Sequence, residues 1–462
     1  MAWHLASLTV MLLALLSASA FAAPDQPVAG TPVAGTPVAD TVDPRQVEQG
    51  AYLARVGDCA ACHTAPKGLP LAGGLPMATP FGTIYSTNIT PDKAHGIGKF
   101  SFDDFDRAMR TGITEDGEHL YPAMPYPSFA KLSSSDMHAL YAYFMRGVKP
   151  APTENRESEL RWPLSIRSLM AVWNRLYLKK GEYVADARRS ASWNRGAYLV
   201  QGLGHCGACH TLRGIAGQEK ALSETDGKHY LTGAVADNWF ASNLTDDPGI
   251  GLHAWSKQDI VDYLKTGRTA RSAASGAMAH VVGASTQHLH DDDLMAIAEY
   301  LKSLPASHNV TATGNAASNN ATSGNLTASD NIYAPASAVA NTTTRALRSG
   351  KIDSRGAQLY LDNCNACHHS DGTGVQRTFP SLVKNEVVDT KDPTSLIHIV
   401  LTGSALPSTQ VAPSAPAMPD FAWRLNDRDV ADVLSFVRSS WGNQAPPVNA
   451  SEVARLRKAT KR

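Results

Sequence analysis

One five-residue pattern, Cys-x-x-Cys-His, occurs three times and limits what the chain can fold around. The copies are CAACH at 59–63, CGACH at 206–210 and CNACH at 364–368, and together they use all six cysteines. Two thiols three residues apart lie on the same side of a helical turn, so both can form thioethers with one porphyrin edge. The histidine that follows can then bind the haem iron from the proximal side.

The pattern therefore predicts three covalently bound haem c groups. The predicted attachment residues are Cys59, Cys62, Cys206, Cys209, Cys364 and Cys367. The predicted proximal iron ligands are His63, His210 and His368. Disulfides would not explain a histidine after each pair, and a zinc site would need two pairs brought together. A thioredoxin-like site would need a βαβ context, which the sequence does not show.

Length and net charge limit the number of domains and the classes of partner that we expect. At 462 residues the chain is too long for a single core and long enough for about three domains. The hydrophobic fraction of 43% is sufficient for cores of ordinary globular size. Because the formal net charge is zero, electrostatics give no reason to expect a nucleic-acid partner.

The N-terminus predicts an exported protein. Residues 5–16 are largely apolar but too short to span a bilayer comfortably, and Ala20 and Ala22 form a small-x-small cleavage pattern. We predict a signal peptide at 1–22, although no Lys or Arg precedes its apolar stretch, and an uncleaved anchor is the alternative. The Pro- and Gly-rich repeat at 23–41 predicts a low-complexity tether. Export agrees with haem c, which is attached outside the bacterial cytoplasm.

Three internal repeats organise the rest of the chain. We predict a mainly α fold of three tandem class I c-type cytochrome domains, at 42–149, 194–305 and 346–442, each wrapped around one covalent haem. Each repeat begins with a helix that leads into the haem motif and ends with a helix that carries an apolar core stripe. The stripes are Leu140, Tyr143 and Phe144; Leu294, Ile297 and Leu301; and Val430, Val433 and Val437.

A middle helix in each repeat carries local start and stop signals. Ser101 with Asp104, and Ser256 with Asp259, have the spacing of capping boxes. Thr-Gly pairs at 111–112, 266–267 and 402–403 then predict helix ends with a left-handed glycine cap.

The connecting segments differ in composition. Residues 150–193 are rich in aromatic side chains and predict a structured, packed link between the first two domains. Residues 306–345 are rich in Ser, Thr, Asn and Ala and predict a flexible linker. The basic tail at 443–462 fits either a helix on anionic lipid or a solvated terminus.

The distal iron ligands decide between electron transfer and small-molecule chemistry. Met418 is the only methionine after the third motif, and it stands in the run PAMP. Met124 stands in an identical run in the first repeat, and Met278 has the corresponding place, in GAMA, in the second. We predict Met124, Met278 and Met418 as the distal ligands.

Alternatives stay open at the first two sites. The competing methionines of the first repeat are Met77, Met109, Met137 and Met145. The second repeat lacks the flanking prolines, and its rival ligands are His253, His280, His288 and His290. Each methionine could also be a buried side chain that fills a gap in the core.

Four longer runs carry a family resemblance. They are GTIYSTNITPD at 82–92, LYPAMPYP at 120–127, WNRGAYL at 193–199 and SAPAMPD at 414–420. With these runs the chain resembles the trihaem cytochrome c subunits of membrane-bound periplasmic dehydrogenases, of the alcohol and gluconate 2-dehydrogenase type. The resemblance covers nearly the whole mature chain.

The resemblance implies a function and a set of partners. In this family a separate catalytic subunit oxidises the substrate with pyrroloquinoline quinone or flavin, and a small third subunit can be present. The cytochrome subunit passes the electrons to ubiquinone and sits on the membrane surface at the periplasmic face of the inner membrane. The substrate does not carry over, because the alcohol and gluconate types look alike.

Two other functions remain as alternatives. A free-standing multihaem carrier of the periplasm would be a monomer without a tight partner. An enzyme in its own right would need one haem, most readily the second, to lack its distal methionine and bind a small molecule. The sequence shows no dinucleotide-binding, phosphate-binding or nucleophile-elbow motif, so no substrate-oxidising site is predicted.

Overall fold

The structure is a computed structural model that describes residues 43–79, 81–248, 250–307 and 338–460. The predicted signal peptide and tether, and most of the predicted linker at 306–345, lie outside these residues. We refer to 43–160 as the first segment, 191–307 as the second and 338–460 as the third.

The first segment combines helices with a small antiparallel sheet. Its helices are α1 Pro44–Val56, α2 Cys59–His63, α3 Phe102–Thr111, α4 Tyr126–Phe129 and α5 Ser134–Ala142, which continues as a π-helical turn over Tyr143–Gly147. Its strands are β1 Pro76–Thr79, β2 Gly82–Tyr85 and β3 Glu159–Leu160, in the order β1-β2-β3. A single helix, α6 Leu169–Tyr177, lies between the first and second segments.

The second and third segments repeat the helical part of this plan. The second contains α7 Ala191–Gln201, α8 Gly207–His210, the hairpin of β4 Ala234–Ala236 and β5 Trp239–Ala241, α9 Lys257–Thr266, α10 Gly276–Ala284 and α11 Asp291–Lys302, with 3-10 turns at Glu224–Asp226 and Thr286–His288. The third contains α12 Ala338–Ser349, α13 Arg355–Asn363, α14 Asn365–His368, α15 Glu386–Asp389, α16 Thr394–Thr402, the paired strands β6 Ser404–Ala405 and β7 Ala417–Met418, α17 Asp427–Ser439 and α18 Ala450–Thr460. The chain is mainly α, as predicted.

A glycine lets the first and last long helices of each segment cross closely. A Cβ on Gly50 would lie 1.9 Å from the carbonyl oxygen of Ala139, and one on Gly196 would lie 2.0 Å from that of Ala296. Gly356 repeats the arrangement in the third segment. Only glycine permits backbones to approach this closely, so the three helix pairs α1–α5, α7–α11 and α13–α17 share one geometry.

The local signals at the middle helices are confirmed. Ser101 and Ser256 each form a capping box with the aspartate three residues later. Gly112 and Gly267 end α3 and α9 in the left-handed conformation. Gly403 also has a positive φ, of 74°, but an extended ψ, because the chain turns there into β6 rather than into a loop.

The predicted core stripes are also confirmed as core. Leu140, Leu294 and Val430 are fully buried, and the other members of the stripes are buried or pack against buried residues. One hydrophobic cluster runs through the first and second segments, whereas the third segment has a cluster of its own.

Hydrogen bonds join the first segment to the second. The hydroxyl of Tyr52 donates to the carboxylate of Asp293 at 2.5 Å, and Arg195 pairs with the same carboxylate at 2.7 Å. Burial opposes ionisation of Asp293, yet the pKa of its carboxyl lies below the usual value because Arg195 and Tyr52 stabilise the charged form.

Further hydrogen bonds join the second segment to the third. The indole of Trp255 donates to Glu386 at 2.7 Å, and the buried guanidinium of Arg268 donates to the carbonyl of Ser414 at 2.7 Å. The backbone N–H of Phe240 donates to Ser395 at 2.7 Å. All three segments are therefore held by specific contacts rather than by the chain alone.

Three stretches outside the predicted domains agree only in part with the sequence expectations. In the predicted packed link, Trp173 is buried but Trp162 is 80% exposed. The predicted linker already becomes helical at α12. The basic tail folds as α18, with Val453 and Leu456 buried on the third segment and Arg457 paired with Asp427 at 2.6 Å. Apolar spacing within the tail, rather than its charge, decides this packing.

In the part of the chain that the structure describes, every helix is too short or too polar to span a bilayer.

The close helix crossing predicts a large effect of one methyl group. Gly196→Ala places a Cβ against the carbonyl of Ala296, so we expect it to destabilise the holoprotein by about 3 kcal/mol through overpacking. Gly283→Ala is the matched control, because Gly283 also lies in a helix but its Cβ would meet nothing closer than 3.8 Å. That change should be neutral or stabilise by up to about 1 kcal/mol. Thermal unfolding followed by circular dichroism measures both, and equal melting temperatures would contradict the proposed crossing.

Candidate haem sites

Each Cys-x-x-Cys-His motif forms one short helical turn directly after the first long helix of its segment. The turns are α2, α8 and α14, and in each the second cysteine is exposed while the first is partly buried. No disulfide joins any of the six cysteines. The turn places both sulfurs of a motif on one side, which is the arrangement that two thioether bonds to one porphyrin require.

The thiols do not have the character of a redox or nucleophilic pair. Burial raises the pKa of Cys59, Cys206 and Cys364 to about 12. At neutral pH these thiols are protonated, whereas a reactive cysteine needs a lowered pKa. In the described ranges, no cluster of three or more His, Cys, Asp or Glu side chains could hold a metal ion.

The three motif histidines are oriented alike by a backbone carbonyl. Nδ1 of His63 donates to the carbonyl of Thr87 at 2.6 Å, and Nδ1 of His210 donates to that of Ser242 at 2.7 Å. In the third motif, Nδ1 of His368 donates to the carbonyl of Pro380 at 3.0 Å. This bond fixes the tautomer and leaves Nε2 to bind a metal.

Burial keeps these imidazoles neutral. It lowers the pKa of His63, His210 and His368, so at neutral pH each ring is an uncharged donor with Nε2 available. Neutral imidazole is the form that binds haem iron, and the chemistry of all three histidines therefore fits the proximal role.

Two buried asparagines position the carbonyls that orient the first two histidines. Asn88 follows Thr87, accepts from the backbone N–H of Thr90 at 2.9 Å and donates to the carbonyl of Ala151 at 2.8 Å. Asn243, which follows Ser242, likewise accepts from the backbone N–H of Thr245, at 2.8 Å. Sequence reasoning missed this role. The repeated run Thr/Ser-Asn-x-Thr at 87–90 and 242–245 was the signal that could have shown it.

The third motif opens into an apolar cleft that also contains the predicted distal methionine. Cys364, His368 and Met418 all line one cleft, together with apolar side chains such as Leu396 and Val433. Strand pairing fixes the methionine, because Met418 in β7 faces Ser404 directly after α16. The structure thus brings the predicted residues of the third site together.

The first and second motifs share a crevice. Cys62 and Cys209 both line one crevice, next to Pro122, Pro125 and Trp173. Burial, Asp58 and Cys209 raise the pKa of Cys62. Met124 lies between the two lining prolines and packs against the same cluster as Cys59.

Two further titratable side chains, His205 and Glu219, line this crevice. His205 donates from Nδ1 to the carbonyl of Leu203 at 2.8 Å. Burial raises the pKa of Glu219 to about 7, although Arg213 and Lys131 lower it. A carboxyl near neutrality adds little net charge beside the second attachment turn.

The predicted distal ligand of the second haem has fewer supporting contacts. Met278 is partly buried near the start of α10 and remains a predicted ligand of the second haem. Of the rival histidines, His290 stacks on Tyr52 with ring centroids 4.1 Å apart, which favours Met278 over it. His253 bonds through Nδ1 to Asp246 at 3.1 Å, and this contact leaves its Nε2 available, so His253 stays an alternative.

The comparison with known proteins agrees with this geometry. The family model described as cytochrome c matches residues 354–441. The chain is 48% identical to the gluconate 2-dehydrogenase cytochrome c subunit of Pantoea cypripedii, over 93% of this chain and 94% of that protein. It is 47% identical to the cytochrome c subunit of the quinone alcohol dehydrogenase of Gluconobacter oxydans, over 90% and 83%. It is 39% identical to the fructose dehydrogenase cytochrome subunit of Gluconobacter japonicus, over 89% and 82%.

Identity of this extent, over nearly the full length of both chains, is accompanied here by Cys-x-x-Cys-His turns with preoriented histidines. The protein therefore belongs to the family of cytochrome c subunits of dehydrogenase complexes, and its role is electron transfer.

Proposed function

We propose that the chain is a three-haem relay built from three tandem class I c-type cytochrome domains. The observation that carries the proposal is that residues from two segments line each cleft. Cys62 of the first motif and Cys209 of the second line one crevice. Ala273 and Ser275 of the second segment line the cleft of Cys364. The first two motifs therefore line one common crevice, and the cleft of the third motif is lined partly by the second segment.

The chain's own residues would hold each group in the same way. The six motif cysteines form the thioethers, the three motif histidines bind iron through Nε2, and Met124, Met278 and Met418 bind from the other side. When bound, each haem c supplies a one-electron centre whose ferrous state methionine ligation favours. The apolar walls around Met418 would keep water away from a haem held there.

Hydrogen bonds between the segments would keep the distances between the haem sites constant. Lys131 holds the crevice from the first segment by donating to Gln201 at 2.9 Å and to the carbonyl of Leu222. Arg268 holds the loop that precedes Met418 through the carbonyls of Ser414 and Pro407. Electrons can then pass along a first–second–third series without a change of domain arrangement.

The partners follow from the relatives. We propose a catalytic subunit with pyrroloquinoline quinone or flavin as electron donor and ubiquinone as acceptor, in a complex that can include a small third subunit. The complex would sit on the periplasmic face of the inner membrane. The names of the relatives support a dehydrogenase as donor, since they are cytochrome subunits of gluconate, alcohol and fructose dehydrogenases.

Substrate-driven reduction tests this function. Detergent-extracted membranes that contain the protein should show rapid reduction of haem absorption after addition of ethanol, gluconate or fructose, and the active substrate identifies the donor. Boiled membranes are the control. Full reduction by dithionite but by none of the substrates would favour the free-standing carrier instead.

The haem content can be counted directly. We expect intact-protein mass spectrometry to show three haems on the mature chain, and Cys206→Ala with Cys209→Ala to show two, because each motif attaches its own porphyrin. A variant of Cys62 alone should keep one thioether at its site. Two haems in the unaltered protein would contradict the proposal.

The distal role of Met418 predicts a change in potential rather than in haem attachment. Met418→Ala should lower the reduction potential of one haem by on the order of 100 mV, since axial ligands set haem potentials over a range of ~0.8 V. It should also let carbon monoxide bind that haem in the reduced protein. Met295→Ala, at an exposed position of α11, is the matched control. An unchanged titration curve for Met418→Ala would show that another group is the ligand.

A further inference from the structure

Helix α6, between the first and second segments, has an apolar face that the rest of the chain leaves exposed. Leu169, Val172 and Leu176 are 39%, 60% and 66% exposed, and their spacing of three and four residues places them on one side of the helix. Trp162 and Ile166, in the turns that lead into α6, are also exposed. We refer to these five side chains as the α6 face. Single exposed apolar residues are ordinary, but a contiguous group marks an interaction surface.

The opposite side of α6 is firmly packed, so the helix is not a loose element that waits to fold inward. Met170 and Trp173 are buried against Tyr126. The side-chain amide of Asn174 accepts from the hydroxyl of Tyr126 at 2.7 Å and donates to the carbonyl of Thr111 at 2.8 Å. The α6 face is therefore held outward in a fixed orientation.

The charged residues of the stretch that carries the α6 face have one sign. Residues 160–181 contain five basic side chains and no acidic one, in a chain whose total charges balance. Arg167 lies 3.6 Å from Glu118, and Lys179 pairs with Asp226. The other three, Arg161, Arg175 and Lys180, are exposed and have no ion pair among the residues that the structure describes.

We propose that the α6 face is a membrane-contact surface that lies in the headgroup region of an anionic bilayer. Aliphatic side chains on one side of a helix, a tryptophan beside them and a rim of Arg and Lys are the composition of helices that lie in such an interface. Anionic headgroups attract the basic rim. A protein interface fits less well, since lysine is depleted there, whereas Lys179 and Lys180 border this surface.

The position of the face gives it a function, which rests on the relay proposed above. Trp173 and Tyr177, on the inner side of α6, line the crevice shared by Cys62 and Cys209. The bilayer surface would then lie about one helix diameter, roughly 10 Å, from that crevice. A lipid-borne electron acceptor could approach the first two haems without leaving the membrane interface.

Vesicle sedimentation of the purified holoprotein tests the contact. The probes are vesicles of phosphatidylglycerol and phosphatidylcholine in a 3:7 ratio and vesicles of phosphatidylcholine alone. We expect the unaltered protein to prefer the anionic vesicles and to bind them more weakly in high salt. Val172→Asp with Leu176→Asp should weaken binding about tenfold, because it removes apolar insertion and adds repulsion. Arg175→Gln with Lys180→Gln should weaken binding to the anionic vesicles only.

Val411→Asp is the matched control, since Val411 is 64% exposed but lies in the third segment; its binding should equal that of the unaltered protein. Binding that survives both double variants would overturn the proposal and place the membrane contact elsewhere. So would variants that bind vesicles normally but lose a dehydrogenase subunit during co-purification. Haem content should be unchanged in every variant, and substrate-driven haem reduction in membranes tests the relay separately, so failure of the relay would show in those two measurements and not in sedimentation.

Discussion

The close crossing of the first and last long helices is the constraint on which each segment depends. At Gly50, Gly196 and Gly356 a helix backbone lies against a carbonyl oxygen of its partner, and no other residue type would fit. The crossing fixes the end of the first helix, and the Cys-x-x-Cys-His turn begins within five residues of that end. The position of the motif histidine therefore follows from the helix crossing, and a carbonyl from a separate loop then sets the orientation of its ring.

The sequence predicted features that depend on near neighbours and missed those that depend on distant ones. The capping boxes at Ser101 and Ser256 join residues three apart, so their spacing alone revealed them. Met418 could be named because no other methionine follows the third motif. The bond from His63 to the carbonyl of Thr87 spans 24 residues, and the crevice joins Cys62 to Cys209 across two segments. No local periodicity encodes such contacts, since they arise only when separate helix pairs pack together.

Tertiary contacts engage several side chains whose role the sequence left open. His290 was a rival iron ligand in the sequence but stacks on Tyr52 of the first segment. The C-terminal helix carries basic residues that suggested lipid, yet its apolar residues Val453 and Leu456 complete the core of the third segment. In both cases the sequence left the role of a side chain open. The side chain packs against another element, and this contact forms only in the tertiary fold.

Helix α6 combines two roles that would otherwise need separate elements. Its inner side supplies Trp173 and Tyr177 to the crevice between the first two motifs, and its outer side supplies the α6 face. A relay that served only soluble partners would not need exposed apolar side chains at Val172 and Leu176. Polar residues at these positions would make the protein more soluble and would leave the inner packing intact. Since Trp162 is exposed in the same stretch and every nearby charge between 160 and 181 is positive, the outer side is best understood through the membrane. The electron path and the lipid contact are then opposite sides of one rigid helix, and movement of neither is needed to bring them together.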